Sequence, residues 1–258
     1  MSDGDVRYEK KGPVGYVVFD RPAARNAMTW HMYERLADIC SRMRCDDGIR
    51  VAVFRGAGGK SFVAGTDIAQ FLAFASGEDG VAYEAKMEGY IGALEALPIP
   101  TLAVVEGWAI GGGLAIAAAC DLRIATPETR FGVPIARTLG NCYSVANTAR
   151  LVATFGAPRT KRMMLMAENL TADEALVAGF VSEIIAPAGL DARIEEICNR
   201  LAAHAPITMR VAKEAVRRVV LAGLADDGDL VRAVYGSEDF REGVRAFVDK
   251  RAAQWKGR

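Results

Sequence analysis

Two short glycine-bearing segments hold the residues best placed to do chemistry: Ser61-Phe62-Val63-Ala64-Gly65-Thr66-Asp67-Ile68 and Gly107-Trp108-Ala109-Ile110-Gly111-Gly112-Gly113-Leu114. Each falls where an apolar, strand-like run gives way to a helix-like one. Such a junction aims unpaired backbone N–H groups, and the positive end of a helix dipole, at one point. Two of them converging make a receptor for negative charge developing on an oxygen, where one preorganised donor is worth about 3–4 kcal/mol at the transition state. Gly112 has no Cβ and permits close backbone approach. Alone, Gly111–Gly113 reads equally well as tight packing of a helix on a strand; the second turn at Ala64–Ile68 favours the site.

The elements that must position these turns follow from local pattern. Val14–Phe19 and Val51–Phe54 read as strands, and Arg21 to Ala27 as a loop. Thr29 is a helix cap for about Trp30–Met43, where Met32, Leu36, Ile39, Cys40 and Met43 recur at helical spacing. Tyr83–Leu97 reads as a helix stopped by Pro98 and Pro100. A buried strand at Thr101–Val105 leads to the glycines and a small-residue helix over Gly112–Cys120. Strands at Leu122–Ala125 and Val181–Ile185 follow, with a Thr171-Ala172-Asp173-Glu174 capping box between them. Beyond Pro187 the chain reads as helical, at about Leu190–Ala203, Ile207–Ala222 and Asp239 onward. The expectation is an α/β core over 1–187 and a helical oligomerisation or lid region over 188–258.

With 258 residues, 51% of them hydrophobic, the chain can bury a large core. Its 32 basic and 32 acidic side chains cancel, which argues against a nucleic-acid binder. Five scattered cysteines without Cys-x-x-Cys spacing read as reduced thiols in a cytoplasmic protein, not a disulfide frame or zinc site. The polar Met1–Asp5 stretch has no apolar signal core. Trp108 to Cys120 carries no charge but is too short to span a bilayer. Gly56-Ala57-Gly58-Gly59-Lys60-Ser61 lacks phosphate-loop spacing, and no metal-ligand cluster is evident.

The ordered set of segments resembles the crotonase (enoyl-CoA hydratase/isomerase) superfamily across essentially the whole chain. It comprises Arg21-Pro22 with Asn26-Ala27-Met28, Ala64–Ile68, Gly111–Gly113, Ala119-Cys120-Asp121-Leu122, Phe131-Gly132-Val133-Pro134, Ala175 to Gly179, and Glu242 to Arg251. The resemblance implies a spiral of ββα units in two near-perpendicular sheets with C-terminal helices, assembled as a homotrimer or hexamer. It implies an acyl-CoA thioester ligand, coenzyme A entering as part of the substrate with no separate cofactor. Thr66 and Gly112 N–H groups would hold the thioester oxygen. Ala64, Asp67, Ile68 and the Arg25 region would receive the adenine and pantetheine end, and Phe247 and Lys250 would reach a neighbouring subunit's ligand.

The chain departs from this pattern where hydratases of the family place two glutamates. Those positions are Ala115, three residues after Gly112, and Ile135, after Phe131-Gly132-Val133-Pro134. Neither side chain can accept a proton or orient water. Hydration by the usual route is therefore disfavoured. In the following stretch Tyr143 is a candidate donor of a hydrogen bond or a proton, or a packed pocket-wall aromatic. Asn141 stays open, and Cys142 is a candidate nucleophile or an inert thiol without a histidine partner. Glu84 and Glu88, one helical turn apart, either edge the acyl pocket or form a solvated face. Trp108 reads as a pocket wall, Asp121 as structural, and His31 and His204 as surface or packing residues. Three functions remain: a lyase or decarboxylase-like enzyme stabilising a thioester enolate, an isomerase or hydratase variant using Tyr143 or a displaced carboxylate, and a CoA-ester-binding protein with little catalysis.

Overall fold

A computed structural model describes residues 4–224 and 226–256, so Met1 to Asp3 of the polar N-terminal stretch lie outside the described residues. Strands β1 (Asp5–Lys11), β2 (Val14–Asp20), β3 (Val51–Gly56), β5 (Thr101–Val105), β7 (Leu122–Ala125) and β10 (Glu183–Ile184) form a six-stranded sheet in the order β1-β2-β3-β5-β7-β10. It is parallel apart from the antiparallel β1–β2 pair. A second sheet joins β4 (Ser61–Val63), β6 (Trp108–Ile110), β8 (Arg130–Gly132) and β9 (Asn169–Thr171). The chain alternates between them and closes each turn with a helix. β3 and β4 precede α2 (Gly77–Glu95), β5 and β6 precede α3 (Gly112–Ala119), and β7 and β8 precede α4 (Ile135–Thr138) and α5 (Val145–Leu165).

The strand sequences explain why the large sheet is covered on both faces. Successive side chains point to opposite sides. Ala52, Phe54, Ala103 and Val105 enter the main core with α1 (Trp30–Arg44), while Val51, Val53, Leu102 and Val104 enter a second cluster. Leu190, Ile194, Ile197 and Cys198 of α7 (Leu190–Ala203) cap that second face. The expected boundary at 187/188 thus falls inside a shared core. Past α6 (Ala172–Val177), α7 and α8 (Pro206–Leu221), helices α9 (Gly228–Tyr235) and α10 (Glu238–Val248) turn back over the first half of the chain.

They are seated there by small residues and aromatic rings. A Cβ on Gly80 of α2 would meet the Tyr235 ring at 2.2 Å, and one on Gly243 of α10 would meet the Leu139 carbonyl at 2.2 Å. Phe71, Leu139, Val231, Tyr235, Phe240 and Val244 form the resulting cluster. The Val145 N–H donates to Asp227, at the head of α9, at 2.5 Å. Among the described residues no helix is long and apolar enough to cross a membrane, and no three His, Cys, Asp or Glu side chains group as a metal site.

Candidate active site

The loop at Arg21–Ala27 is fixed by buried Asn26. Its Oδ1 accepts the Arg21 N–H at 2.9 Å, and its Nδ2 donates to the Ala57 and Ser61 carbonyls at 3.0 and 2.8 Å. Next to it, the Met28 N–H donates to Gly65 O (2.9 Å) and the Asp67 N–H to Met28 O (2.8 Å). Thr66 is bridged between these bonds, so its own N–H turns to the opposite side. Arg21 pairs with Asp67 at 2.8 Å, and the Asp67 carboxylate also caps the short turn Ile68–Ala73 by accepting the Ala69 N–H.

The second turn comes straight out of β6. Gly111 has φ 51° and ψ −124°, a conformation open to glycine, and Gly112 begins α3 with its N–H outside the helix ladder. The two turns touch. A Cβ on Gly65 would lie 3.5 Å from Ile110 O, and a Cβ on Gly112 would lie 3.2 Å from Thr66 Oγ1. Thr66 and Gly112 line one cavity of about 540 Å³, a volume suited to a small-molecule site.

The same cavity gathers most of the residues expected from the sequence: Arg25, Ala64, Asp67 and Ile68 on one wall, and Trp108, Gly111, Ala115, Ile135 and Tyr143 on the others. Arg25 holds a left-handed φ of 52° and is exposed at the mouth. Phe247 also lines the cavity of its own chain, with half of its surface left exposed. Lys250, just past α10 with φ 53°, is exposed and stands outside the cavity lining.

Tyr143 does not offer its proton to the cavity. Its hydroxyl donates to the Gly111 carbonyl at 2.5 Å, and burial pushes its pKa upward. That carbonyl belongs to the same peptide unit as the Gly112 N–H. A donor on the oxygen polarises the peptide and strengthens the N–H as a donor in turn. The geometry therefore makes Tyr143 a support for the second turn.

The two glutamates part company. Arg150 grips both Glu88 oxygens, at 2.5 and 2.8 Å, and bonds Glu95 as well. Glu84 is buried, lines the cavity, and accepts the Tyr235 hydroxyl at 2.7 Å. Burial raises its carboxyl to about 7, with the charges of Asp227 and Glu88 adding to the shift. The solvated-face reading thus fails for Glu84, because α9 closes over it. Cys142 lines the cavity, and burial lifts its thiol to about 12. His31 and His204 are exposed. Asp121 accepts the Thr101 N–H and hydroxyl and the Lys213 ammonium, a structural role as expected.

Two tyrosines had no signal in the sequence. Tyr33 Oη lies 2.9 Å from Thr66 Oγ1, which lies 3.4 Å from Tyr83 Oη. Positions 33, 66 and 83 share no local spacing, so only the fold brings them together.

The family model described as Enoyl-CoA hydratase/isomerase matches residues 9–258. The short-chain-enoyl-CoA hydratase of Clostridium acetobutylicum is 32% identical over 260 residues, covering 97% of each chain. The (E)-benzylidenesuccinyl-CoA hydratase of Thauera aromatica is 32% identical over 274 residues, covering 98% of this chain and 99% of the relative. Among solved structures, a methylmalonyl-CoA decarboxylase in complex with 2-nitronate-propionyl-CoA superposes with a TM-score of 0.89 at 25% identity, covering 98% of both chains. An enoyl-CoA hydratase from Bacillus anthracis superposes with a TM-score of 0.77 at 27% identity, covering 98% and 99%.

Proposed function

This chain belongs to the enoyl-CoA hydratase/isomerase family, and we propose that within it the protein is a decarboxylase-like lyase acting on an acyl-CoA that carries a second carboxylate on Cα. The observation that carries this reading is the contact of the Thr66 and Gly112 turns in a cavity walled by Ala115 and Ile135. Loss of CO2 breaks the Cα–carboxylate bond, and the electron pair moves through Cα to the thioester oxygen. Two N–H donors stabilise that oxygen. An apolar wall disfavours the starting carboxylate and not the charge-shifted product. Arg25, Ala64, Asp67 and Ile68 receive the coenzyme A portion, which is the only coenzyme the reaction needs. The TM-score of 0.89 to a methylmalonyl-CoA decarboxylase supports the reading.

Glu84 supports a second reading, an isomerase or hydratase variant with one displaced acid–base group. A carboxyl at about 7 suits that role. Offering purified protein malonyl-type, 3-hydroxyacyl, enoyl and saturated acyl-CoAs in heavy water separates the two. CO2 release supports the lyase. Double-bond movement or hydration that disappears in Glu84→Gln supports the second. Tight binding without turnover leaves a CoA-ester-binding protein. A trimer or hexamer is supported by the exposed Ile207, Val211, Val216 and Val219 of α8, and a cytoplasmic setting by five unpaired cysteines; sedimentation and fractionation test these.

A further inference from the structure

We propose that Tyr83 is the catalytic residue that returns a proton to the substrate's α-carbon, with Thr66 and Tyr33 as positioning residues behind it. The inference rests on the enolate reading above and is carried by a count of hydroxyl protons. Tyr33, Thr66 and Tyr83 form a chain of three hydroxyls joined by two contacts, 2.9 and 3.4 Å long. Three hydroxyls own three protons, and two contacts consume two. One O–H is left over.

Burial decides which end keeps it. Tyr33 is 1% exposed, and Thr66 is its hydrogen-bond partner. A buried O–H without an acceptor is costly, so Tyr33 donates inward to Thr66. Thr66 then donates toward Tyr83. The surplus O–H emerges on Tyr83, which is partly exposed and lines the cavity beside Thr66 and Gly112. Its ring is held by Trp30, Phe71 and Tyr235, at centroid distances of 5.4, 5.0 and 5.9 Å. Burial keeps both phenols protonated at neutral pH, Tyr33 at about 12 and Tyr83 well above its ordinary value. With Ala115 and Ile135 unable to donate and Tyr143 committed to Gly111, Tyr83 presents a mobile proton next to the N–H pair.

The step balances. As the enolate collapses, the thioester C=O re-forms, a Cα–H bond forms and the Tyr83 O–H breaks. The tyrosinate is stabilised by the Thr66 O–H and regains its proton from water when product leaves through the cavity mouth.

The test uses the full-length protein, Tyr83→Phe and Thr66→Val, with a 2-alkylmalonyl-CoA in heavy water. The valine keeps its backbone N–H and loses only the hydroxyl. The readouts are CO2 release and the configuration of deuterium at Cα. The unsubstituted protein is expected to give one deuterated enantiomer. Tyr83→Phe is expected to give both, with CO2 release slowed less than tenfold, and Thr66→Val an intermediate mixture. A single enantiomer from Tyr83→Phe at an undiminished rate would overturn the assignment and leave the lyase intact. Should the unsubstituted protein release no CO2, the lyase reading fails, and α-proton exchange of a saturated acyl-CoA tests the donor. Exchange lost at least tenfold in Tyr83→Phe upholds it; exchange unchanged, or absent from the unsubstituted protein, overturns it.

Discussion

The two turns that meet at the cavity are held by opposite means. The Ala64–Ile68 turn is tied from outside by hydrogen bonds from Met28, by the Arg21–Asp67 pair, and by Asn26 pinning the loop beneath. The Gly111–Gly113 turn has the Tyr143 hydroxyl on its Gly111 carbonyl, but its seat depends chiefly on what it lacks. A Cβ on Gly113 would come within 2.0 Å of Val63 O, and one on Gly112 within 2.4 Å of Tyr33 Oη. A turn held by several separate bonds yields gradually when one bond is lost. A turn made of absent side chains has no such reserve.

The sharpest contrast is Gly113→Ala. Its Cβ would strike backbone, which cannot swing aside, so we expect a loss of several kcal/mol, on the scale of other severe core overpacking, read as a large fall in melting temperature. Gly112→Ala meets side chains and not backbone, the Tyr33 hydroxyl most closely and Thr66 Oγ1 at 3.2 Å. It is expected to leave the protein folded while lowering kcat by 100-fold or more, the scale of a lost oxyanion donor. Adding Tyr33→Phe removes the nearer of the two atoms in the way and is expected to restore part of the donor geometry. No gain in the double variant would show that Gly112 is needed for some other reason. Tyr143→Phe deletes the bond to the Gly111 carbonyl and is expected to reduce kcat about fivefold with little change in KM, because one net hydrogen bond is worth about 1 kcal/mol. Smallest is Asp67→Asn on the first turn. The pair it breaks is partly exposed, so the stability loss should be under about 1 kcal/mol, with the effect appearing in KM for the coenzyme A portion. A collapse in kcat there would erase the contrast.

The pH profile sharpens it from outside the turns. Glu84 has its carboxyl raised to about 7, so the folded state holds a proton that the unfolded chain releases at ordinary carboxyl pKa. Its contribution to stability is full below about pH 4.5 and is lost as pH rises through about 7. Glu84→Gln is therefore expected to flatten the fall in melting temperature between pH 5 and 8.

Much of this molecule could be read from its sequence where a local rule operates. Thr29 caps α1 by accepting the Met32 N–H, and Thr171 and Glu174 close the capping box of α6, as their types and spacing demand. The buried strands β3 and β5 announce themselves by unbroken apolar runs. The second sheet does not, because β4, β6 and β8 are three residues each, too short to show alternation. Helix α5 is masked by Gly156, with non-helical φ 73° and ψ 157°, and by Pro158 inside it. At the site, the turns are legible because two glycine-bearing segments each fall at a strand-to-helix junction. Glu84 was not: its burial comes from Tyr235, 151 positions away. For Tyr143 the sequence shows a hydroxyl but not the carbonyl it faces, so its hydrogen-bond acceptor, Gly111 O, comes only from the fold.

The return of α9 and α10 over the first half of the chain has one more consequence. Phe247 reaches the pocket of its own polypeptide, so α10 contributes to the roof of its own chain's reaction chamber. In a mixture of intact copies and copies disabled at Gly112, turnover should scale linearly with the intact fraction, whatever number of subunits travel together. Inactive partners would act as passengers and not as poisons.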